Sequence, residues 1–217
     1  MKKILALGLI SATLLSACGN DDEPTPPAAT RNYQPTTANS TWTYKVENKI
    51  TPASNFNFTV KATAKDSSIN SKNYKVFTNT SAGNEYYYAS GTDYYQFAGF
   101  AGLTNSIELN YLKDAVAGTS WTETKAVKVS GIDVSATFNY NIAEILPTLT
   151  LNGLNFTNVI RVHVTLAVPG ITFSNQDLNF YYADGVGRIK TQIKLAAVFP
   201  AINSDNETSI TAFSIAP

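Results

Sequence analysis

The 217-residue chain has one cysteine, one histidine and one methionine. A single cysteine, Cys18, excludes an internal disulfide framework and a thiolate metal cluster. A single histidine, His163, leaves a Ser-His-Asp triad one base to use, and no Gly-x-Ser-x-Gly elbow supplies its serine. One histidine is also too few for a histidine-rich zinc site. Charged residues are only 15% of the chain and sum to a formal net charge of zero, so no basic surface draws in nucleic acid. The glycine-rich pieces lack the lysine and helix of a phosphate loop, and no cofactor is expected. No segment of useful length carries apolar residues at helical spacing. Beyond residue 17 no apolar run is long enough to cross a bilayer.

The cysteine has another use. Lys2 and Lys3 give a positive start, residues 4–15 an apolar run, and Ser16 and Ala17 small side chains before Cys18. This is the layout of a secretory signal. Leu15-Ser16-Ala17-Cys18 resembles the lipobox of bacterial lipoproteins. That resemblance implies cleavage before Cys18, a diacylglycerol on its thiol and a fatty acyl group of the palmitate kind on its new amino terminus. Several chains on one residue, each contributing roughly 0.8 kcal/mol per buried CH₂, anchor stably in a membrane. Asp21, Asp22 and Glu23 resemble the acidic export signal of Bacteroidota lipoproteins, which implies the outer membrane and its cell-surface face. A solvated acidic tether is the plainer alternative. Pro24, Pro26 and Pro27 favour an extended spacer. The expected organisation is a signal peptide over 1–17, a lipidated cysteine with a disordered acidic and Pro-rich tether over 18–32, and a single domain over 33–217. Without residues 1–17 the chain keeps 14 basic against 16 acidic residues, a formal net charge of −2.

What the chain holds in quantity is strand-forming residues, including 12 tyrosines and 11 phenylalanines. Period-two alternation recurs throughout. Trp42, Tyr44, Val46 and Ile50 share one face. Phe56, Phe58, Val60, Ala62 and Ala64 share another, as do Ile132, Val134, Ala136, Phe138, Tyr140 and Ile142, and then Ile160, Val162, Val164, Leu166 and Val168. Residues 51–54 read as a hairpin turn, 142–149 as a helical turn or bulge broken by Pro147, 149–154 as a connector and 204–207 as a solvated loop. About ten to twelve strands with short connections predict antiparallel pairing. The expected fold is an all-β antiparallel meander closed or curved into a barrel or half-barrel, with a two-sheet β-sandwich as the alternative.

Trp42-x-Tyr44, Gly118-Thr119-x-Trp121 and the run from Tyr181 through Gly185-Val186-Gly187-Arg188-Ile189-Lys190 resemble a pattern in uncharacterised secreted β-rich lipoproteins of Bacteroidota. The resemblance implies an all-β domain and supplies no activity. Gly185 and Gly187 read as a tight turn or bulge. The carboxylate pairs Glu85/Asp93 and Asp177/Asp184 show nothing beyond ordinary surface acidity, and His163 falls on the polar face of its strand, so the protein is not expected to be an enzyme. The aromatic hairpin is the best candidate contact: Tyr86, Tyr87, Tyr88, Tyr94 and Tyr95 cannot all lie on one face, and exposed tyrosines suit protein and sugar contacts. The leading expectation is a lipid-anchored cell-envelope protein, surface-exposed, that binds a glycan, peptide or protein through these tyrosines, Tyr87 and Tyr94 foremost. The alternative is a periplasm-facing carrier of a lipid or other apolar ligand in a curved sheet, which requires a sizeable unfilled cavity.

Overall fold

The computed structural model describes residues 31–99, 106–129, 132–198 and 202–217. Cys18, Asp21, Asp22 and Glu23, along with the apolar loop residues 100–103, lie outside the described residues. Twelve strands follow in chain order: β1 (Thr41–Asn48), β2 (Phe56–Ile69), β3 (Lys72–Asn79), β4 (Gly83–Ser90), β5 (Asp93–Gly99), β6 (Ser106–Lys113), β7 (Ser120–Val129), β8 (Ile132–Leu151), β9 (Leu154–Ala167), β10 (Phe173–Ala183), β11 (Gly187–Ala197) and β12 (Ile202–Ser214). Among the described residues the helical structure is the short 3₁₀ turn Pro52–Ser54, where residues 51–54 were expected to turn the chain.

All twelve strands belong to one antiparallel sheet. Each strand pairs with its chain neighbour except at one seam, and β1 also pairs with β12. β6 and β7 are therefore the two edges, and the sheet curls into a nearly closed barrel that brings them together. The seam is bridged by side chains: the Asn110 N–H of β6 donates to Glu123 Oε2 of β7 at 2.8 Å, and the Trp121 Nε1–H of β7 donates to the Asn110 carbonyl at 2.8 Å. An edge that would otherwise offer unpaired backbone groups to another chain is thereby covered. Register shifts at Thr43/Tyr44, Ala62/Asp66, Tyr94/Tyr95, Ile142/Glu144 and Tyr181/Tyr182 add the coiling that closure needs.

The alternation maps onto inside and outside. Trp42, Tyr44, Phe58, Val60, Phe138, Tyr140, Ile142, Val162 and Val164 are buried, each contributing about 1.5–3 kcal/mol. The outer wall carries cross-strand ion pairs, Arg161 with Glu144 at 2.6 Å and Lys190 with Glu207 at 3.1 Å. Such a wall faces water rather than lipid, because a membrane barrel presents an apolar band there.

Several expectations need correction. Of the two readings of residues 142–149 the bulge holds, after Ile142, and the helical turn does not, since the segment is strand throughout; 149–154 form the tip of the β8–β9 hairpin. There Asn152 Nδ2 donates to Ser209 Oγ at 3.2 Å and the Ile210 carbonyl at 2.8 Å, folding the tip against β12. Residues 204–207 lie within β12. Ala64 is exposed because the Ala62/Asp66 register shift ends the alternation, and Ile50 is exposed beyond the end of β1.

The segment before β1 seals one end of the barrel. Tyr33 is fully buried and meets Tyr94 edge-on, ring centroids 6.2 Å apart. Asn32 N–H donates to Asp184 Oδ1 and the Asn32 carbonyl accepts from Gly185 N–H, both at 2.8 Å. Tyr111 Oη donates to Gln34 Oε1 at 2.9 Å, and Arg31 pairs with Asp114 at 2.8 Å. Gly187 shows why this turn is glycine-rich: its φ is 96°, and a Cβ there would lie 3.4 Å from the Tyr33 carbonyl oxygen. It is both a turn residue and a point of close approach.

Candidate functional site

Inside the barrel, beyond the seal, lies a cavity of about 540 Å³. One part of its wall is apolar: Phe58 of β2, Leu109 of β6, Phe138 of β8, Val164 of β9, Phe180 of β10, and Ile193 and Leu195 of β11. The cavity reaches the end opposite the seal, where Ala82 of the β3–β4 connection and Asn84 at the start of β4 border it and are exposed. The polar part of the wall comes from Glu85, Gln96, Tyr111, Tyr182, Arg188 and Thr191.

Glu85 is buried yet satisfied. Asn79 Nδ2 donates to one of its oxygens and Tyr87 Oη to the other. Asn79 in turn uses its Oδ1 to accept from Ser81 N–H at 2.8 Å and from Ser81 Oγ at 2.9 Å, which fixes the β3–β4 turn. Gln96 Nε2 donates to Tyr87 Oη at 3.0 Å. Burial pushes the Tyr87 phenol well above its ordinary value, and the Glu85 charge adds to this. Tyr87 is therefore a hydrogen-bond donor at neutral pH.

Arg188 is in the opposite situation. Its backbone carbonyl accepts from Tyr44 Oη at 2.8 Å, and its guanidinium stands 5.5 Å from the Tyr44 ring centroid. Its Nε is buried without a hydrogen-bond partner, and no ion pair joins it to Glu85 among the described residues. An unmet buried donor costs about 1–3 kcal/mol, more for a charged group. Burial works against the guanidinium's charge, but the acidic groups of Tyr87, Glu85, Tyr44 and Tyr182 outweigh it and hold the pKa above its usual value. Two spaces adjoin this side chain: the large cavity, and a void of about 10 Å³ shared with Gln34 and Tyr87. The smaller space is about the size of one water.

The tyrosines divide between the two faces. Tyr87 and Tyr94 are 6% and 4% exposed and belong to the main core, which corrects their expected role as a surface contact. Tyr87 pairs across the ladder with Gln96 and Tyr94 with Ala89, and these positions face the barrel interior. Tyr86, Tyr88 and Tyr95 face outward and are half-buried. Tyr86 packs on Phe97 at 6.2 Å, while Tyr88 meets Tyr95 at 5.8 Å and Tyr74 at 5.7 Å. Lys72 Nζ lies 4.1 Å from the Tyr95 ring centroid and 2.7 Å from Glu108 Oε1, and Tyr74 also donates to Glu108.

The remaining titratable candidates stay apart. Glu85 is inside, whereas Asp93 pairs with Lys113 and Asn110 near the seam. His163 is on the outer wall, 3.7 Å from Asp177, and Asp184 holds the sealing segment before β1. Among the described residues no three His, Cys, Asp or Glu side chains converge as a metal site would require.

Arg188 and Tyr182 are the cavity residues that alternation misses. Arg188 and Lys190 read as one polar face, but the register shift at Tyr181/Tyr182 sets Arg188 opposite Tyr182 and Lys190 opposite Tyr181. Arg188 therefore turns inward while Lys190 stays outside. Gly185 and Gly187 are the sequence signal of that irregularity.

No family profile and no curated protein matches this chain. Among solved structures, a candidate lipoprotein from Parabacteroides distasonis ATCC 8503 is similar, with a TM-score of 0.46 and 11% sequence identity, covering 85% of this chain and 99% of that one.

Proposed function

We propose that this protein is a lipid-anchored envelope protein, not an enzyme, whose barrel binds an apolar small molecule. The observation that carries this reading is the cavity of about 540 Å³ walled by Phe58, Phe138, Val164, Phe180 and Ile193. It lies within the roughly 300–1,000 Å³ range of small-molecule sites and shares their build, an apolar lining with a few convergent polar groups. Apolar surface moved from water into it gains about 25 cal/mol per Å². The exposed residues Ala82 and Asn84 mark the end by which a ligand enters. The segment before β1 keeps the interior closed at the other end.

A tyrosine-based surface contact now ranks second. Tyr87 and Tyr94 are unavailable to a partner, but Tyr86, Tyr88 and Tyr95, with Lys72 and Glu108 beside them, form an outward aromatic group separate from the core. Cys18 lipidation and export by Asp21, Asp22 and Glu23 remain part of the proposal, on the strength of the sequence. Protease treatment of intact cells separates a surface location from a periplasmic one.

The test of the carrier reading is mass spectrometry of the organic extract from protein purified out of its own membrane. The expected result is an apolar small molecule in near-stoichiometric amount, lost in an Ile193→Trp variant that fills the cavity. Equal recovery from both proteins would count against the cavity as the site.

A further inference from the structure

The cavity is amphipathic, and its polar groups are not equivalent. Glu85 enters it with both oxygens engaged, by Asn79 and by Tyr87. Arg188 enters it with a buried, unpartnered Nε and no ion pair. A buried guanidinium N–H without a partner is an arrangement that proteins seldom keep unless something completes it. Around it stand Tyr44, Tyr87, Tyr111 and Tyr182, and the Tyr111 ring lies 5.3 Å from Tyr182 and 6.1 Å from Tyr87. These rings lower the local polarity and so strengthen any charge–charge contact made at Arg188. The apolar wall runs from this group along Phe180, Ile193 and Leu195 towards the exposed end.

Resting on the carrier reading above, we infer that the ligand is an amphiphile whose single-charged anionic head group, a carboxylate or a phosphodiester, docks on Arg188 while its apolar tail lies along Phe180, Ile193 and Leu195. The planar fork of a guanidinium suits either oxyanion. The charge state follows from Glu85. The Glu85 carboxylate in the same wall already offsets the Arg188 charge, so a head group with two negative charges is repelled more strongly than one with a single charge.

The experiment uses the folded protein and the neutral fluorescent probe N-phenyl-1-naphthylamine. Three competitors displace the probe: dodecanoate, dioctanoyl phosphatidylglycerol and uncharged dodecanol. The expected result is that at least one of the two anions displaces at about tenfold lower concentration than dodecanol, and that Arg188→Met abolishes this advantage while probe binding persists. The better anion tells a free acid from a phospholipid head group. Equal potency of all three on the unmodified protein overturns the head-group inference and leaves the carrier reading standing, so the test holds even if Arg188→Met does not fold. Failure of the probe to bind at all overturns both.

Discussion

At Gly187 two demands meet: a φ of 96° and a 3.4 Å approach to the Tyr33 carbonyl. Gly187→Ala is therefore expected to cost about 1–3 kcal/mol, read as a lower urea midpoint with an unchanged slope. A midpoint equal to that of the unmodified protein would show that the seal tolerates a side chain. Tyrosine ionisation gives a second prediction at this scale. Burial pushes Tyr33 and Tyr44 from 10 up to about 12, nearby Arg31 and Arg188 respectively opposing the shift. The folded state thus keeps protons that the unfolded state releases, so stability falls as pH rises through the window from 10 to about 12. In an alkaline titration followed by ultraviolet absorbance, the Tyr33 and Tyr44 phenolates should appear with cooperative unfolding. A single reversible step at pH 10 for all tyrosines, with the fold intact, would contradict the burial described.

Among elements, the β6–β7 seam is the weak joint, because side chains replace the ladder. Trp121→Phe keeps the ring stacked on Tyr140, now 4.9 Å away and nearly parallel, but removes the donor to the Asn110 carbonyl. The expected cost is about 1–3 kcal/mol for a buried acceptor left unmet. Amide exchange should quicken in β6 and β7 before the rest of the barrel; uniform protection across all strands would mean the seam does not open first. The elements were largely legible in the chain, because half-buried strands write their two faces as alternation. Ile160, Val162, Val164 and Leu166 follow that rule and are all buried. What alternation cannot show is a register shift. The bulge after Ile142 disguised a continuous strand as a broken one, and the shift at Tyr181/Tyr182 hid the inward turn of Arg188. The face of each tyrosine in the aromatic hairpin was equally open until β3 and β6 flanked β4 and β5 and fixed which side was concave.

For the whole molecule, closure into a barrel converts an ordinary apolar sheet face into an enclosed space. A fully packed interior would need larger side chains where Ala98, Leu109 and Thr191 now line the wall. The central claim is that this space is a binding site, and fluorescence titration with N-phenyl-1-naphthylamine tests it most directly, comparing the unmodified protein with Ile193→Trp. The account predicts saturable enhancement in the unmodified protein and at least a tenfold loss of affinity in Ile193→Trp, whose circular dichroism stays unchanged. Enhancement of equal affinity in both proteins would place the probe elsewhere and contradict the claim.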